Sequence, residues 1–347
     1  MNRRATAQDV ADLAGVSRSS VSLVLNGRAQ GSVSAAKQQA VLDAARRLDY
    51  TPNVAAQGLR TSRTRILGVL TWRGVGGLPL HLIASALQTS LNRGYMLIKT
   101  YAEPTGIDQH RALSILGNWR VDGILVVAPD LCEYEAVEAL SMFPVVLLNC
   151  LDPAQLLTCV APDEEGAGVR AAQLLLDQGH RDFGLLSGPL SHFQTGLRAR
   201  GVQRALAAAG LSPAQLQTAE VRIDAGCVAA TTLLTQDHPP TALICTNERL
   251  AVGALLAASQ LRRCVPHDLS VVSLDDREQL SGQLTPEITR VERPDHLMAS
   301  HAAERLIERL GSHSAPEAQR YSFVCPVVEG ASVAPPTRGR ADHVGLR

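Results

Sequence analysis

Long apolar segments are absent from this sequence of 347 residues. No stretch approaches the roughly 18 apolar residues that a membrane-spanning helix needs. An arginine pair, Arg3-Arg4, stands near the start, but no apolar core of signal-peptide length follows it. We therefore expect a cytoplasmic protein with no membrane partner. The composition, 46% hydrophobic and 19% charged, is typical of a globular chain with two or three packed domains.

Motifs for metal binding and covalent catalysis are also missing. The seven cysteines lie far apart, include no CxxC pair and are odd in number. We interpret them as free thiols in a reducing compartment rather than as disulfides or zinc ligands. The sequence contains no HExxH, GxSxG or GxxxxGK[ST] segment, and its ten histidines are scattered. These absences argue against an enzyme, a metal site or a bound cofactor.

One glycine-rich segment, LTWRGVGGLP at residues 70–79, is similar to a dinucleotide-binding loop. A GxGxxG pattern that starts at Gly74 needs its third glycine where Pro79 stands. The first acidic residue downstream is Glu103, well beyond the spacing of about 20 residues expected for a ribose-binding acid. These departures argue against a nucleotide-binding dehydrogenase.

Charge is unevenly distributed along a chain whose formal net charge is zero. Residues 1–65 contain ten basic and four acidic residues, a net charge of +6. The rest of the chain contains 23 basic and 29 acidic residues, a net charge of −6. A basic head on an acidic body favours contact with a polyanion, and a solvated face is the alternative.

Three short amphipathic helices are predicted within residues 6–50. Thr6 and Ser17 are predicted N-caps of the first two helices, and Gly15 ends the first. The inward positions of these two helices recur at helical spacing: Val10, Leu13, Ala14, Val21, Val24 and Leu25. A third helix is predicted from Ser34 to Tyr50, with inward positions Val41, Ala44, Ala45 and Leu48.

Two short helices around a glycine-containing turn, supported by a third, form a helix-turn-helix unit. In such a unit the second helix enters the major groove of DNA, and its first residues contact base edges. The outward face of the predicted second helix contains Arg18, Ser19, Ser22, Leu23 and Asn26. Arg18 can donate two hydrogen bonds to a guanine edge, and short hydroxyl side chains allow close approach. The apolar periodicity excludes a flexible linker, whereas a three-helix protein-binding module remains an alternative.

A short segment rich in arginine follows the predicted head. Residues 54–59 have the spacing of about two helical turns, too short to be stable in isolation. Gly58 weakens such a helix by roughly a further 1 kcal/mol relative to alanine. Arg60, Arg63 and Arg65 suit a linker that lies along DNA phosphates, and an ordinary interdomain tether is the alternative.

From Ile66 onward, strand-like apolar runs alternate with amphipathic helical segments. Examples are ILGVLT, VDGILVVA and FPVVLLN before residue 162, and RDFGLLSG, TALICTN and LSVVSLDD after it. Continuous apolar strands separated by helices predict parallel sheets covered on both faces. Because the pattern restarts near Pro162, we predict two similar lobes with a ligand cleft beyond the carboxyl ends of their strands.

Two groups of segments match one known family in order and spacing. In the head they are DVADLAGVSRSSVSLVLNGR and VLDAARRLDYTPNVAAQGLR. In the body they are RVDGILVV, LLDQGHRDFGLLSGP, RARGVQRALAAAGL, ALICTNERLAVGALLA, VPHDLSVVSLDD and TPEITRVERP. With these segments the chain resembles the LacI/GalR family of transcriptional repressors, of the lactose-repressor type. The resemblance implies a hinge that becomes helical on the operator and a body of the periplasmic-binding-protein type I architecture.

In that family a hinge leucine from each subunit inserts into the central minor-groove step, and Leu59 stands at the matching position. The resemblance implies this DNA-binding set: Thr6, Ser17, Arg18, Ser19, Ser20, Ser22, Leu23, Asn26, Asn53, Ala56, Leu59 and Arg60. Leu23 stands where the family most often has arginine, and we expect it to contact a thymine methyl group. Gly58 replaces a longer polar residue and should raise the cost of ordering the hinge.

The resemblance also implies effector contacts in the body. Arg198 matches the arginine of an R-x-x-G motif, Asn247 the asparagine of an N-D turn, and Asp275 the first aspartate of a DD pair. The predicted effector set is Trp72, Arg73, Asn149, Arg198, Asn247 and Asp275. An interlobe salt bridge between Arg198 and Asp275, and a helix cap at Asn247, are the alternatives.

The first lobe departs from the family around the predicted ligand. Trp72-Arg73 and Leu78-Pro79 stand where the family typically has an aspartate and a Phe-Phe pair. Trp72 can stack on a sugar ring or pack under the glycine loop. An anionic ligand is therefore an alternative to a monosaccharide, and the absence of any effector stays open.

We predict an all-α helix-turn-helix head at residues 1–50, a hinge and linker at 51–65, and an α/β effector-binding and dimerisation body at 66–347. The body is predicted to have two doubly wound parallel-sheet lobes. The first is assigned to residues 66–161 plus 290–321 and the second to 162–289 plus 322–337, with a disordered tail at 338–347.

The predicted function is sequence-specific repression of transcription. The expected partners are a pseudo-palindromic double-stranded DNA operator, a second copy of this chain in a homodimer, and a small-molecule effector such as a sugar or related metabolite. The alternatives are a small-molecule-binding protein without DNA-dependent regulation and an α/β enzyme.

Overall fold

The computed structural model describes residues 5–25, 27, 29–50, 63–73, 77–103, 107–311 and 317–337. The chain forms two compact units, residues 1–64 and 65–347, and each is described by itself. Of the predicted hinge and linker at residues 51–65, residues 51–62 lie outside the described residues, as does the predicted tail at 338–347.

The head contains three helices, α1 (Ala7–Ala14), α2 (Arg18–Leu25) and α3 (Ala35–Arg47). Thr6 caps α1 as predicted, because the backbone N–H of Asp9 donates to Thr6 Oγ1 at 3.3 Å. The backbone N–H of Thr6 donates in return to Asp9 Oδ2 at 2.7 Å, which completes a capping box. Gly15 ends α1 with φ +65°, a left-handed conformation that favours glycine.

One small core joins the three helices of the head. Its buried members are Val10, Ala11, Val21, Val24, Ala29, Val41, Ala44 and Ala45. The prediction that Leu13 points inward is wrong, since this side chain is 44% exposed. The buried face of α1 is centred among Val10, Ala11 and Ala14, and a helical repeat places Leu13 about 110° away from that centre.

The body begins with the first lobe and continues into the second. The first lobe contains β1 (Ile66–Thr71), α4 (Leu80–Asn92), β2 (Met96–Tyr101), α5 (Ile107–Asn118), β3 (Gly123–Glu133), β4 (Val145–Leu151) and β5 (Thr158–Pro162). The second contains α6 (Glu164–Asp177), β6 (Phe183–Ser187), α7 (Phe193–Ala208), β7 (Gln215–Thr218), α8 (Ile223–Leu234), β8 (Ala242–Cys245), α9 (Glu248–Gln260), β9 (Ser270–Ser273) and β10 (Thr289–Val291). The chain then forms α10 (Asp295–Gly311) and β11 (Arg320–Phe323) in the first lobe and β12 (Val327–Val328) in the second. Connections include two 3₁₀ helices, Glu138–Met142 and Ser281–Gln283.

Each lobe is built on a largely parallel sheet, as the alternating pattern predicts, and each sheet has six strands. The first sheet has the order β11-β5-β4-β3-β1-β2, with parallel pairing between its described neighbours. The second has the order β12-β10-β9-β8-β6-β7 and is parallel except between β10 and β12. Every residue of β4 is buried, because helices cover both faces of the sheet. None of the described helices is both long and apolar enough to cross a membrane.

The chain passes between the lobes three times, after β5, after β10 and after β11. The strands β5 and β11 are neighbours at one edge of the first sheet, and β10 and β12 are neighbours at one edge of the second. The predicted crossing points at 290 and 322 fall inside β10 and β11. The observed crossings come slightly later, in connectors 292–294 and 324–326, because each strand continues up to a connector that contains a proline.

Two glycines allow α6 and α7 to cross in backbone contact. A Cβ atom on Gly168 would lie 2.1 Å from the carbonyl oxygen of Arg198, and one on Gly201 would lie 2.0 Å from that of Glu165. Neither distance leaves room for a carbon atom, so the crossing requires glycine at both positions. This close approach brings Glu164, the first residue of α6, against Arg198 in α7.

Candidate functional site

The exposed start of α2 presents hydroxyl groups and a cation. The backbone N–H of Ser20 donates to Ser17 Oγ at 3.2 Å, so Ser17 caps α2 as predicted. The Ser17 hydroxyl also lies 2.8 Å from that of Ser19 and 2.9 Å from that of Ser20. Arg18 and Ser19 are exposed, and no carboxylate among the described residues lies within ion-pair distance of Arg18. This end of α2 therefore offers an unneutralised guanidinium beside small polar side chains.

Leu23 differs from its predicted outward position on α2. It is half-buried and packs against the core of the head. A leucine on a helix of about two turns is long enough to fold back onto apolar neighbours, which removes apolar area from water. Part of the Leu23 side chain is accessible, on the same short helix as Arg18.

The predicted DNA-binding set is only partly within the described residues. Its described members lie in or beside the first two helices: Thr6, Ser17, Arg18, Ser19, Ser20, Ser22 and Leu23. The other members lie outside the described residues: Asn26, Asn53, Ala56, Leu59 and Arg60. The DNA contacts of both groups stay predictions.

A cavity of about 430 Å³ lies between the two lobes of the body. Its wall contains residues at or beyond the carboxyl ends of strands in both sheets, where the sequence predicts a ligand cleft. The first lobe contributes Arg73, Asp130, Leu131 and Cys132. The second contributes His192, Phe193, Gln194, Thr195, Arg198, Val221, Thr246, Asn247, Glu248, Arg249, Arg277 and Glu278. The volume is within the range of roughly 300–1,000 Å³ that is typical of small-molecule sites.

Arg198 is fixed in the wall of this cavity by three groups. Its Nε and Nη2 donate to the two carboxylate oxygens of Glu164 at 2.6 and 3.0 Å. Its Nη1 donates to the carbonyl oxygen of Thr246 at 2.7 Å and lies 3.6 Å from Asp275 Oδ2. Burial by itself lowers the pKa of Arg198, but Glu164 and Asp275 raise it above the ordinary value. The guanidinium is therefore a permanent, immobile cation.

Asp275 is also fully buried, and Arg277 covers it. Arg277 Nε donates to Asp275 Oδ2 at 3.0 Å. Burial by itself raises the pKa of the Asp275 carboxyl. The positive charges of Arg277, Arg198 and Arg293 outweigh this effect and lower the pKa to about 2. The carboxylate is thus ionised and engaged with side chains of its own lobe.

The same Arg277 guanidinium reaches the other lobe. Its Nη2 lies 2.9 Å from Asp130 Oδ1, and its Nη1 donates to the carbonyl oxygen of Pro129 at 3.0 Å. Both partners belong to the irregular end of β3, where the register with β4 shifts. A second interlobe hydrogen bond joins the Leu131 backbone N–H to Gln194 Oε1 at 2.8 Å. The two lobes are therefore in direct polar contact across the cavity wall.

The structure brings three members of the predicted effector set into the cavity wall: Arg73, Arg198 and Asn247. Asn247 also caps α9, since the backbone N–H of Arg249 donates to its Oδ1 at 2.9 Å. The sequence left two alternatives open, an ion pair between Arg198 and Asp275 and a helix cap at Asn247. Both are observed, with one difference. The ion pair between Arg198 and Asp275 lies within the second lobe rather than between the lobes.

The other three predicted members, Trp72, Asn149 and Asp275, are not among the residues that line the cavity. The Trp72 ring stacks on Tyr134, with centroids 5.8 Å apart and planes 13° apart. Asn149 is buried, and its Nδ2 donates to the carbonyl oxygens of Ala128 and Pro129 at 3.0 and 3.2 Å. These residues support the backbone next to the cavity.

Glu248 is a wall residue that sequence reasoning missed. Its Oε1 accepts a hydrogen bond from the backbone N–H of Glu278 at 2.8 Å, and its Oε2 is buried without a described partner. Burial raises the pKa of Glu248 to about 8, and the adjacent Asp275 and Asp276 add to the effect. The carboxyl group is therefore mainly protonated at neutral pH. Its position at the start of a helix gave no sign of this burial.

The other lining residues were also missed, among them Phe193, Gln194, Val221 and Arg277. Arg277 follows directly after the Asp275-Asp276 pair, and this adjacency of opposite charges was a usable signal. Val221 lies in the connection after β7, and no sequence pattern marks it.

Comparisons with known proteins agree with the helix-turn-helix head and with the two-lobed body. A model of "Bacterial regulatory proteins, lacI family" matches residues 6–53, and one of a "Periplasmic binding protein-like domain" matches residues 157–333. The repressor PurR of Edwardsiella ictaluri is 30% identical over 336 residues, which cover 95% of this chain and 97% of that protein. PurR of Vibrio cholerae is 29% identical over 88% of this chain and 91% of its own length.

Among solved structures, the lac repressor dimer bound to operator and the anti-inducer ONPF is similar, with a TM-score of 0.79 and 25% identity. The match covers 96% of this chain and all of that one. A helix-turn-helix head together with a two-lobed body around a ligand-sized cavity defines a DNA-binding transcriptional regulator. The chain belongs to the lacI family of bacterial regulatory proteins.

Proposed function

We propose that this protein is a homodimeric transcriptional repressor whose affinity for its operator is controlled by a small molecule in the interlobe cavity. One observation carries the proposal. The cavity wall combines both lobes, and Arg277 of one lobe pairs with Asp130 of the other. A ligand in this wall touches both lobes and changes how they are held together. The similar PurR proteins are transcriptional repressors, and the similar lac repressor is a dimer on its operator, which supports the proposal.

The head recognises DNA through α2. Placed in the major groove, α2 presents the Arg18 guanidinium to a guanine edge and the Ser19 hydroxyl to a nearby phosphate or base. The accessible part of Leu23 contacts a thymine methyl group. A two-fold symmetric dimer places two such helices on two half-sites, so the operator is pseudo-palindromic.

The effector contacts are divided between two kinds of residue. Arg73, Arg198 and Asn247 contact the ligand directly, because their side chains line the cavity. The predicted residues outside the wall have positioning roles instead. Trp72 holds the backbone that carries Arg73, Asn149 holds the end of β3, and Asp275 holds the two arginines Arg198 and Arg277.

Effector and operator are coupled through the lobes. A ligand that changes the contacts between Arg277 and Asp130, or between Gln194 and Leu131, shifts the equilibrium between two lobe arrangements. By linkage, the factor by which the ligand changes operator affinity equals the factor by which the operator changes ligand affinity. The protein works as a regulator rather than as an enzyme, in the cytoplasm with its DNA.

The DNA-binding part of the proposal is tested with Arg18→Ala and a matched control. Fragments selected from random DNA by the full-length protein are titrated by fluorescence anisotropy, at several salt concentrations because phosphate contacts are salt-dependent. Arg18→Ala should lose about tenfold or more in specific affinity and relax the preference at one base pair. Arg47→Ala removes the same charge from exposed α3 and should weaken all fragments alike. Wild-type binding that is salt-sensitive and independent of sequence would overturn the proposal.

A further inference from the structure

Arg277 determines which polar groups the interlobe cavity offers to a ligand. We infer that the effector of this protein is a small organic anion, a carboxylate or a phosphate ester, and that Arg277 selects it. The inference rests on the proposed function, since it concerns the same cavity. It follows from the distribution of free donors and engaged acceptors in the cavity wall.

The carboxylate that the family resemblance assigns to the ligand is already occupied. Asp275 is 1% exposed and does not line the cavity. Its Oδ2 accepts from Arg277 Nε at 3.0 Å, and its Oδ1 accepts from the backbone N–H of Asp276 at 3.1 Å. Arg277, in contrast, lines the cavity. A guanidinium of the chain itself therefore stands between this carboxylate and any ligand.

Two other carboxylates of the wall, those of Asp130 and Glu278, are paired with arginines as well. Asp130 Oδ1 lies 2.9 Å from Arg277 Nη2, and Glu278 forms a bidentate ion pair with Arg249. Glu248 accepts from a backbone N–H with one oxygen, and its raised pKa keeps it mainly protonated at neutral pH. The ionised carboxylates of the described wall are thus less available to the hydroxyl groups of a polyol.

Donors, on the other hand, are available. Asn247 and Gln194 each accept a backbone N–H with the carboxamide oxygen, and each also has an NH₂ group that can donate to a ligand. Arg73 lines the cavity, and no carboxylate among the described residues lies within ion-pair distance of it. A wall that donates hydrogen bonds and carries an unneutralised cation matches a ligand that accepts them and carries negative charge.

The remaining wall is apolar and limits the size of the ligand. Leu131, Phe193 and Val221 line the cavity, so part of the ligand is apolar or flat. A volume of about 430 Å³ holds a compact metabolite with one acidic group and leaves no room for a long chain. Positively charged ligands are disfavoured, because the wall contains four arginines and the carboxylates of Asp130 and Glu278 are already paired with two of them.

The test uses the full-length protein and matched ligands of equal size. Binding of phenylacetate, phenyl phosphate, phenylacetamide, 2-phenylethanol and phenethylamine is measured by calorimetry and thermal shift. Gluconate, glucose 6-phosphate and glucose form a second series. All measurements share one ionic strength, because salt screens charged ligands. We expect an acid of at least one series to bind at least tenfold more tightly than its uncharged analogue, and the amine not to bind. Whichever of the carboxylate and the phosphate ester binds more tightly identifies the acidic group that the cavity prefers.

Variants assign the preference to Arg277. Arg277→Gln should reduce acid binding at least tenfold and abolish the preference over the uncharged analogue, whereas Arg277→Lys should restore it in part. Arg222→Gln is the matched control, because Arg222 is exposed, paired with Asp224 and outside the cavity wall. Should Arg277→Gln fail to fold, Arg73→Gln replaces an exposed cation of the same wall that has no ion-pair partner among the described residues, and it should also weaken acid binding.

Three results would overturn the inference. One is equal or tighter binding of an uncharged analogue or of the amine. Another is that no acid binds. The third is an acid preference that survives in a folded Arg277→Gln protein or, where that variant does not fold, in Arg73→Gln. Acid binding that leaves operator affinity unchanged would contradict the proposed function and leave the inference intact. Release of the operator by an uncharged ligand alone would contradict the inference and leave the proposed function intact.

Discussion

Arg277 Nη2 lies 2.9 Å from Asp130 Oδ1, and this ion pair joins the connection after β9 in one lobe to the end of β3 in the other. The same guanidinium holds Asp275 within its own lobe. A single side chain therefore both covers the expected ligand carboxylate and connects the halves of the cavity.

Removing the negative charge of this interlobe pair should loosen the lobes. In Asp130→Asn the full ionic attraction to Arg277 is lost, so the lobes separate more often. We expect faster hydrogen exchange at the Leu131 amide, which donates to Gln194 across the lobes, and a larger radius of gyration in solution. Glu133→Gln, at the exposed end of β3, is the control and should leave both unchanged. Unaltered Leu131 exchange in Asp130→Asn would show that the pair does not hold the lobes.

Asp275→Asn should destabilise the body, because it leaves Arg198 and Arg277 without their buried counter-charge. The expected loss in the free energy of unfolding at pH 7 is about 3 kcal/mol. Since the folded-state pKa of Asp275 is depressed to about 2, its contribution is present above the unfolded value near 4 and disappears as the pH falls towards 2. Denaturant unfolding of wild type and variant at pH 7, 4 and 3 should therefore show a shrinking difference.

The matched control for this prediction is Asp224→Asn, an exposed carboxylate paired with Arg222. It should leave the unfolding midpoint unchanged. A stable Asp275→Asn protein that has lost only its response to effector would instead give Asp275 a direct role in ligand binding.

Glu248→Gln should change how stability depends on pH in the opposite direction. The folded-state pKa of Glu248 is raised to about 8, so the native state holds a proton that the unfolded chain releases near pH 4.3. This bound proton stabilises the folded state fully below the unfolded value near 4.3. The stabilisation then decreases as the pH rises and is lost once the pH has passed through about 8. A neutral amide removes that loss. The stability of Glu248→Gln relative to wild type should therefore rise between pH 5 and pH 8.

Unfolding curves at pH 5, 6.5 and 8 measure this trend. Glu220→Gln replaces an exposed glutamate and serves as the control, with no expected trend. A constant difference between Glu248→Gln and wild type across these three values would contradict a raised pKa at Glu248.

Gly201→Ala should destabilise the second lobe, because its Cβ would lie 2.0 Å from the carbonyl oxygen of Glu165. The helices α6 and α7 must then separate, at a cost of about 1–3 kcal/mol or more. The separation also pulls Arg198 from Glu164, so effector binding should weaken together with stability. Gly311→Ala, where nothing lies within 4 Å of the added carbon, should be nearly neutral in both measurements. A Gly201→Ala protein of wild-type stability would exclude a tight crossing.

The fold was largely accessible from the sequence, because its strands are continuous apolar runs and its helices are periodic. The predicted ILGVLT strand is β1 itself, and Thr6 and Ser17 cap the helices they were assigned to. Leu13 and Leu23 were placed wrongly, because apolar periodicity cannot define the buried edge of a helix of about two turns.

The candidate site was accessible only in part. Arg198 and Asn247 were found because they stand in recognisable segments at strand ends. The burial of Asp275 was not, since it depends on an arginine two positions later that turns back towards it. Phe193 and Val221 come from distant segments, and only the folded second lobe brings them to one wall.

The three connectors between the lobes leave their sheets at one edge, and two of them span only residues 292–294 and 324–326. Such short connectors keep the two halves of the cavity wall close together and restrict any relative motion of the lobes to one that pivots near that edge. The part of the cavity wall in one lobe is consequently held near the part in the other lobe, at a high effective concentration. A ligand that contacts both lobes gains binding free energy from the second lobe. It does so without the loss of translational entropy that binding a separate second molecule would cost. A ligand that bridges the lobes therefore needs only weak contacts with each of them.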